Sequence, residues 1–348
     1  MQLSRRGLGL GMAAIAATPT LAAPARYRVR RLVDRPIIAP GMHPRIGSNI
    51  QGPSAIRVPD WVPGRLGRYY LYFADHKGDH IRLAYADTVT GPWTIHGPGA
   101  LGLEASGFPA KPPIAPATPL VRPALKGYAP AGTPGVPRAE DDATVPHIAS
   151  PDVHVDVAQS RIRMYFHGLD GYGVQRSRVA VSFDGLTFTV LPSTIPAVYM
   201  RAFAHQGMTY ALAMPGTFLR SRDGLSDFEA GPTLFAADQR HTALLRRGNI
   251  LHIFWTRVGD APERILATTV DISGDWRGWK ASDPVDVLRP ERPWEGANQP
   301  PGPSYRSGID MPVNQLRDPA IFEDRGRTYL LYAVAGERGI GLAELTVT

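Results

Sequence analysis

The sequence predicts an all-β fold: a five-bladed β-propeller of four-stranded antiparallel blades, its ring closed by the N-terminal strand. Three observations predict it. Five apolar, aromatic-rich segments with period-2 character recur along the chain, each followed by a second strand. Four of those second strands run into an aspartate-bearing turn and then an aromatic residue. A short strand also precedes each aromatic segment, and in three units it opens beside a proline.

The elements follow in order. Residues 1–25 read as a leader: Arg5-Arg6, a short apolar stretch rich in alanine and glycine, and small residues at the exit. That pattern predicts a Tat-type signal peptide, cleavage near Ala23 or Ala25, and a periplasmic or extracellular protein. No other apolar run approaches the roughly 20 residues a membrane span needs. The rest, 26–348, reads as a single propeller domain.

The five aromatic strands are Tyr69–Ala74, Ile162–Phe166, Met208–Ala213, Ile250–Trp255 and Thr328–Ala333. The aspartate turns pair Asp87 with Trp93, Asp184 with Phe188, Asp223 with Phe228 and Asp271 with Trp276. Aspartate accepts local backbone hydrogen bonds and glycine supplies positive φ, so Ser182-Phe183-Asp184-Gly185 is hairpin chemistry. The aromatic residue then starts the outermost strand. The innermost strands open at Gln51-Gly52-Pro53, Ser150-Pro151-Asp152 and Arg317-Asp318-Pro319; Val198–Ala204 and Arg240–Leu245 take that place in blades three and four. Proline is tolerated there because a strand's first residues need no ladder donor. The last unit ends at Val347 without a fourth strand, so Tyr27–Val33 is expected to supply it and cover the open edges. Residues 97–147 and 281–316 lack strand periodicity and read as two long loops walling a site.

Composition narrows the function. The formal charge of +7 falls to +5 without Arg5 and Arg6, and the remaining basic residues are scattered. Neither an arginine-rich helix nor an aromatic-plus-basic RNA motif is present, so nucleic acid is not an expected partner. The absence of cysteine excludes disulfides, thiolate zinc sites and thiol catalysis. A monomer is expected.

With the blade starts in view, residues 27–348 resemble the five-bladed propellers of the arabinanase, levansucrase and invertase group, glycoside hydrolase families 43, 32 and 68. Arg317-Asp318-Pro319, Gly91-Pro92-Trp93 and the Ser-x-Asp-Gly turns carry the resemblance. It implies a glycosidase acting on a poly- or oligosaccharide in the axial funnel, with three carboxylates contributed by blades one to three. At the matching positions this sequence has Gly52, then Ser150 with Asp152 two residues on, then Tyr199 and Arg201. Asp152 and Asp318 are therefore the expected carboxylates, with Glu295 from the second loop as the acid, because glycoside hydrolysis needs a carboxyl pair. Asn49, Gln51, His154, Tyr199, Arg201, His241, Trp294 and Arg317 are the expected sugar-binding residues. The resemblance also lets His241 hold a water or a cation such as calcium in the central channel; no other cofactor is expected. His76 and His80, at a strand end and a hairpin, read as surface residues. Two other functions fit the same residue types. One is a polysaccharide lyase using Tyr199, His154, His241 and Arg201, and the other a sugar-binding propeller without turnover.

Overall fold

The computed structural model describes residues 25–117, 127–138 and 140–348. The expected leader therefore lies outside the described residues, apart from Ala25. Within them are five four-stranded antiparallel sheets. Blade one comprises β2 (Gln51–Arg57), β3 (Tyr69–Ala74), β4 (His80–Ala86) and β5 (Thr94–Gly102). Blade two comprises β6 (Ile148–Asp156), β7 (Arg161–Gly171), β8 (Val174–Ser182) and β9 (Thr189–Ile195). Blade three runs β10 (Val198–His205), β11 (Met208–Met214), β12 (Thr217–Ser221) and β13 (Glu229–Thr233). Blade four runs β14 (Gln239–Arg247), β15 (Ile250–Arg257), β16 (Ile265–Asp271) and β17 (Val285–Leu288). Blade five is β18 (Arg317–Asp324), β19 (Arg327–Ala333) and β20 (Ile340–Val347), completed by β1 (Tyr27–Arg31).

The ring closes as the sequence predicts. β1 pairs antiparallel with β20, Tyr27 opposite Val347 and Arg31 opposite Ala343. Two expected boundaries shift. β5 occupies the start of the first expected loop, its period hidden by Gly97-Pro98-Gly99 and a register shift against β4. In blade four, Trp276 enters a single 3-10 turn instead of a strand, and the outermost strand is β17, inside the second expected loop.

The second strand of each blade forms the packing layer. All six residues of β3 are buried, its two faces meeting different neighbouring blades. Tyrosines from these strands also bond to the next blade's turn. The Tyr72 hydroxyl donates to the Gly185 carbonyl at 2.8 Å, and Tyr165 to Gly224 at 2.7 Å. In the first of those turns, Asp184 Oδ1 accepts from the Leu186 and Thr187 amides and the Ser182 hydroxyl. Gly185 is required twice over: its φ is +76°, and a Cβ would sit 2.7 Å from the Tyr72 hydroxyl.

The innermost strands β2, β6, β10, β14 and β18 surround the axis. Each begins with a bulge, and the bulged residue has positive φ: Gly52 (62°), Ser150 (52°), Tyr199 (53°), His241 (36°) and Asp318 (47°). Non-glycine residues in that region are strained, most of all a bulky one such as tyrosine. A bulge turns a side chain away from the direction the pleat would give it. Here the repeat does so five times at one end of the axis, called the upper mouth below.

Candidate active site at the upper axial mouth

Nδ1 of His241 is 2.9 Å from Oδ1 of Asp318, joining the bulges of blades four and five. The Tyr199 ring lies tilted between His167 (centroids 4.2 Å apart) and His241 (5.0 Å). Burial first, then the Asp318 carboxylate, pushes the Tyr199 phenol well above its ordinary range, so it remains an O–H donor. Burial first also pushes His241 down against the opposing pull of Asp318, and it pushes His167 far down. His147 falls to about 3, through burial and then the Lys77 charge; its Nδ1–H donates to the Val145 carbonyl at 2.7 Å.

Beside this column lies an ionic network. The Arg317 guanidinium, 1% exposed, donates to Gln315 Oε1, to Glu337 Oε1 (2.8 Å) and to the Ser307 carbonyl, and it lies 3.1 Å from Glu263. Arg240 donates to the Tyr305 and Ser307 carbonyls and is 3.7 Å from Glu263. Asn49 donates to Glu337 at 2.7 Å and accepts from the His76 amide, while the His76 ring lies 3.6 Å from Glu337. Burial would raise the Glu337 carboxyl, but His76, Arg317 and Arg240 overcome it and hold it far below its usual range. Asp142, on the single helical turn Asp141–Thr144, pairs with Lys77 at 2.8 Å and accepts from Ser307 Oγ. Its burial is likewise outweighed, by Lys77 and then His76, and its carboxyl is depressed. Asp310, at the exposed rim, goes the other way: partial desolvation, then the Glu337 and Asp75 charges, push its carboxyl up.

Several buried polar groups here have no hydrogen-bond partner among the described residues. They include both amide atoms of Gln51, Ser150 Oγ, both ring nitrogens of His167 and Asp318 Oδ2. Such groups in an otherwise paired interior mark a site that water or a ligand completes.

The structure thus gathers Asn49, Gln51, Tyr199, His241, Arg317 and Asp318 at one mouth. It places the other expected site residues elsewhere. Asp152 and His154 are bonded to each other at 2.7 Å and line a groove of about 680 Å³ at the opposite end of the inner strands. Asp152 also accepts from the Ala202 amide at 2.7 Å, so it ties blade two to blade three. Arg201 lies on the axis below the bulges, bonded to backbone carbonyls. Glu295, expected as the acid, is fully buried at the ring closure and accepts from Arg31, from the Glu291 and Arg292 amides, and from the Tyr332 hydroxyl. Its lone pairs are committed to fastening β1. Trp294, its neighbour in sequence, packs against the buried core cluster that includes Leu330 and Tyr332. His76 and His80 are buried rather than on the surface, His76 facing Glu337 and His80 facing Asp79.

Sequence reading missed Lys77, Asp142, His167, Glu263, Asp310 and Glu337. Most sit on connections at the upper mouth, and a signal was there. Lys77 and Glu337 fall three and four residues after the last residue of an aromatic strand, where a blade's second strand has just reached the upper end. No three His, Asp or Glu side chains among the described residues are grouped to hold a metal ion, and no helix among them is long and apolar enough to cross a membrane.

No family model matches the chain. Among solved structures it resembles a GH43_1 enzyme from Xanthomonas citri (12% identity, 90% of this chain and 91% of that one, TM-score 0.52). It resembles RS223-β-xylosidase equally (13%, 92% and 94%, TM-score 0.52). It also resembles the exo-β-1,3-galactanase of Phanerochaete chrysosporium (13%, TM-score 0.50), matching over 85% of its own length but spanning only 60% of that longer chain. These likenesses establish the shared five-bladed fold. In sequence it is 36% identical over 324 residues to the uncharacterized protein R118 of Acanthamoeba polyphaga mimivirus, covering 85% of this chain and 83% of that one. The chain belongs to the family of that viral protein, and its fold is the five-bladed propeller of the family-43 glycoside hydrolases.

Proposed function

We propose that the protein is an exported glycosidase acting on an oligo- or polysaccharide at the upper axial mouth, led out by its twin-arginine leader. The observation that carries this reading is the opposed tuning of two carboxyls around the His76–Lys77 turn: Asp142 depressed, Asp310 raised. Groups whose surroundings push their pKa values apart are suited to base and acid roles. In this reading Asp310 protonates the glycosidic oxygen as the bond to the anomeric carbon breaks. Asp142 takes a proton from the incoming water, whose oxygen bonds to that carbon. Tyr199, a neutral phenol with no bonded partner among the described residues, donates to a sugar hydroxyl, and Asp318 holds the His241 ring in place.

The lyase reading is weaker on the same grounds. A tyrosine base needs a depressed phenol, whereas Tyr199 is raised. The nearby cations Arg317, Arg240 and Lys77 already face Glu337, Glu263 and Asp142. The binding-only reading is favoured by Gly52, Ser150 and Tyr199 standing at the three blade starts where the resemblance expects carboxylates. Incubation of the purified protein with a panel of neutral oligosaccharides separates the two. Release of shorter sugars, reduced about 100-fold or more in Asp310→Asn, is the expected result. Saturable binding without release from any substrate would establish the sugar-binding reading instead.

A further inference from the structure

We infer that Arg201 is a tethered axial cation: its guanidinium staples four blades together at the axis and positions the bulges that form the upper mouth. Arg201 belongs to β10 of blade three and is 9% exposed. Its Nε donates to the Thr242 carbonyl of blade four at 3.1 Å. One terminal nitrogen donates to the Pro151 carbonyl of blade two at 2.6 Å and lies 3.5 Å from Asp152 Oδ1. The other donates to the Pro53 carbonyl of blade one at 3.3 Å. Four of the five N–H donors in the planar fork are thereby used, on acceptors from three other blades.

The identity of those acceptors gives the bonds their consequence. Pro53, Pro151 and Thr242 each directly follow a bulged residue, Gly52, Ser150 and His241. Tyr199, the bulged residue of blade three, stands two positions before Arg201 itself. One side chain therefore fixes the backbone just below four of the five bulges. Prolines at 53 and 151 suit this arrangement, since each offers an acceptor and no donor. Arg317, more deeply buried, differs in kind: its partners are mainly the side chains of Glu337, Glu263 and Gln315. Charge-assisted bonds to backbone carbonyls are strong, and acceptors left bare in the interior are costly. Lysine would keep the charge but lose the planar fork that reaches several blades at once.

The inference needs no substrate, so its fate is independent of the glycosidase reading. It is tested by thermal melting of the wild type, Arg201→Ala and Arg201→Lys, each with millimolar guanidinium sulfate or tetramethylammonium sulfate. Arg201→Ala is expected to melt roughly 5–10 °C below the wild type. Guanidinium, seated in the vacated fork site, is expected to restore at least half of that loss saturably; tetramethylammonium is not, and the wild type should show no such gain. An alanine variant melting with the wild type, or one on which guanidinium acts no better than tetramethylammonium, overturns the inference. If the alanine variant does not accumulate folded, the lysine variant decides. A lowered Tm is expected, and a wild-type Tm would show that charge alone suffices and no fork is needed.

Discussion

The His241 ring meets the Asp318 carboxylate at 2.9 Å, so two consecutive blades present their strained strand starts to each other across the axis. Both groups are almost fully buried. Asp318→Asn is therefore expected to destabilise the fold by about 1–3 kcal/mol, the cost of disturbing a buried polar contact. Urea unfolding measures it; a midpoint equal to the wild type would mean that the pair contributes nothing.

The opposed carboxyls set a pH profile for turnover. Asp142 must be ionised, and its depressed pKa places the acid limb below the ordinary carboxylate range. Asp310 must be protonated, and its raised pKa moves the alkaline limb above that range. The expected kcat/KM profile is a bell that spans the ordinary carboxylate value. Asp310→Asn should remove the alkaline limb from whatever residual rate remains.

Stability should fall in acid, with a share that one histidine carries. The folded pKa of His147 is about 3, below the ordinary histidine value. Between that ordinary value and about 3 the unfolded chain binds a proton that the folded chain refuses. Stability is thus full above the unfolded pKa and is lost as pH falls through the window, by roughly 5 kcal/mol at its foot. Glu337 and Asp142, both depressed, add losses of the same sign at lower pH. A His147→Gln variant should show a visibly shallower fall of Tm between about pH 6 and about pH 4.

Ring closure depends on Glu295. Its carboxylate accepts from Arg31 of β1 at 2.7 and 2.8 Å and from Tyr332 of β19 at 2.9 Å. Glu295→Ala leaves a largely buried guanidinium without its main partner, at an expected cost of about 3–5 kcal/mol. Amide exchange along β1 should accelerate more than exchange along β7, which is remote from the clasp.

Much of the fold was legible because the repeat writes the same chemistry five times. Ser182-Phe183-Asp184-Gly185 and Tyr69–Ala74 declare their structures locally, through turn bonds and period-2 burial. The ring closure by Tyr27–Arg31 followed from counting strands. The site was legible only where it lies on the inner strands. The bulges spoiled even that reading in part: at a bulge the side-chain period slips, so Ser150 turns to the upper mouth while Asp152 and His154 line the opposite groove. Glu295 misled because a carboxylate in a long loop beside tryptophan looks the same whether it faces substrate or clasps an arginine. Glu263 and Glu337 come together only through the ring, since Arg317 joins residues from separate hairpins.

The central claim is that the ligand lies at the upper mouth. Crystals soaked with a neutral oligosaccharide test it most directly. The account predicts sugar density against the Tyr199 ring, within bonding reach of Asp142 and Asp310. Density confined to the opposite groove, against Asp152 and His154, would contradict it.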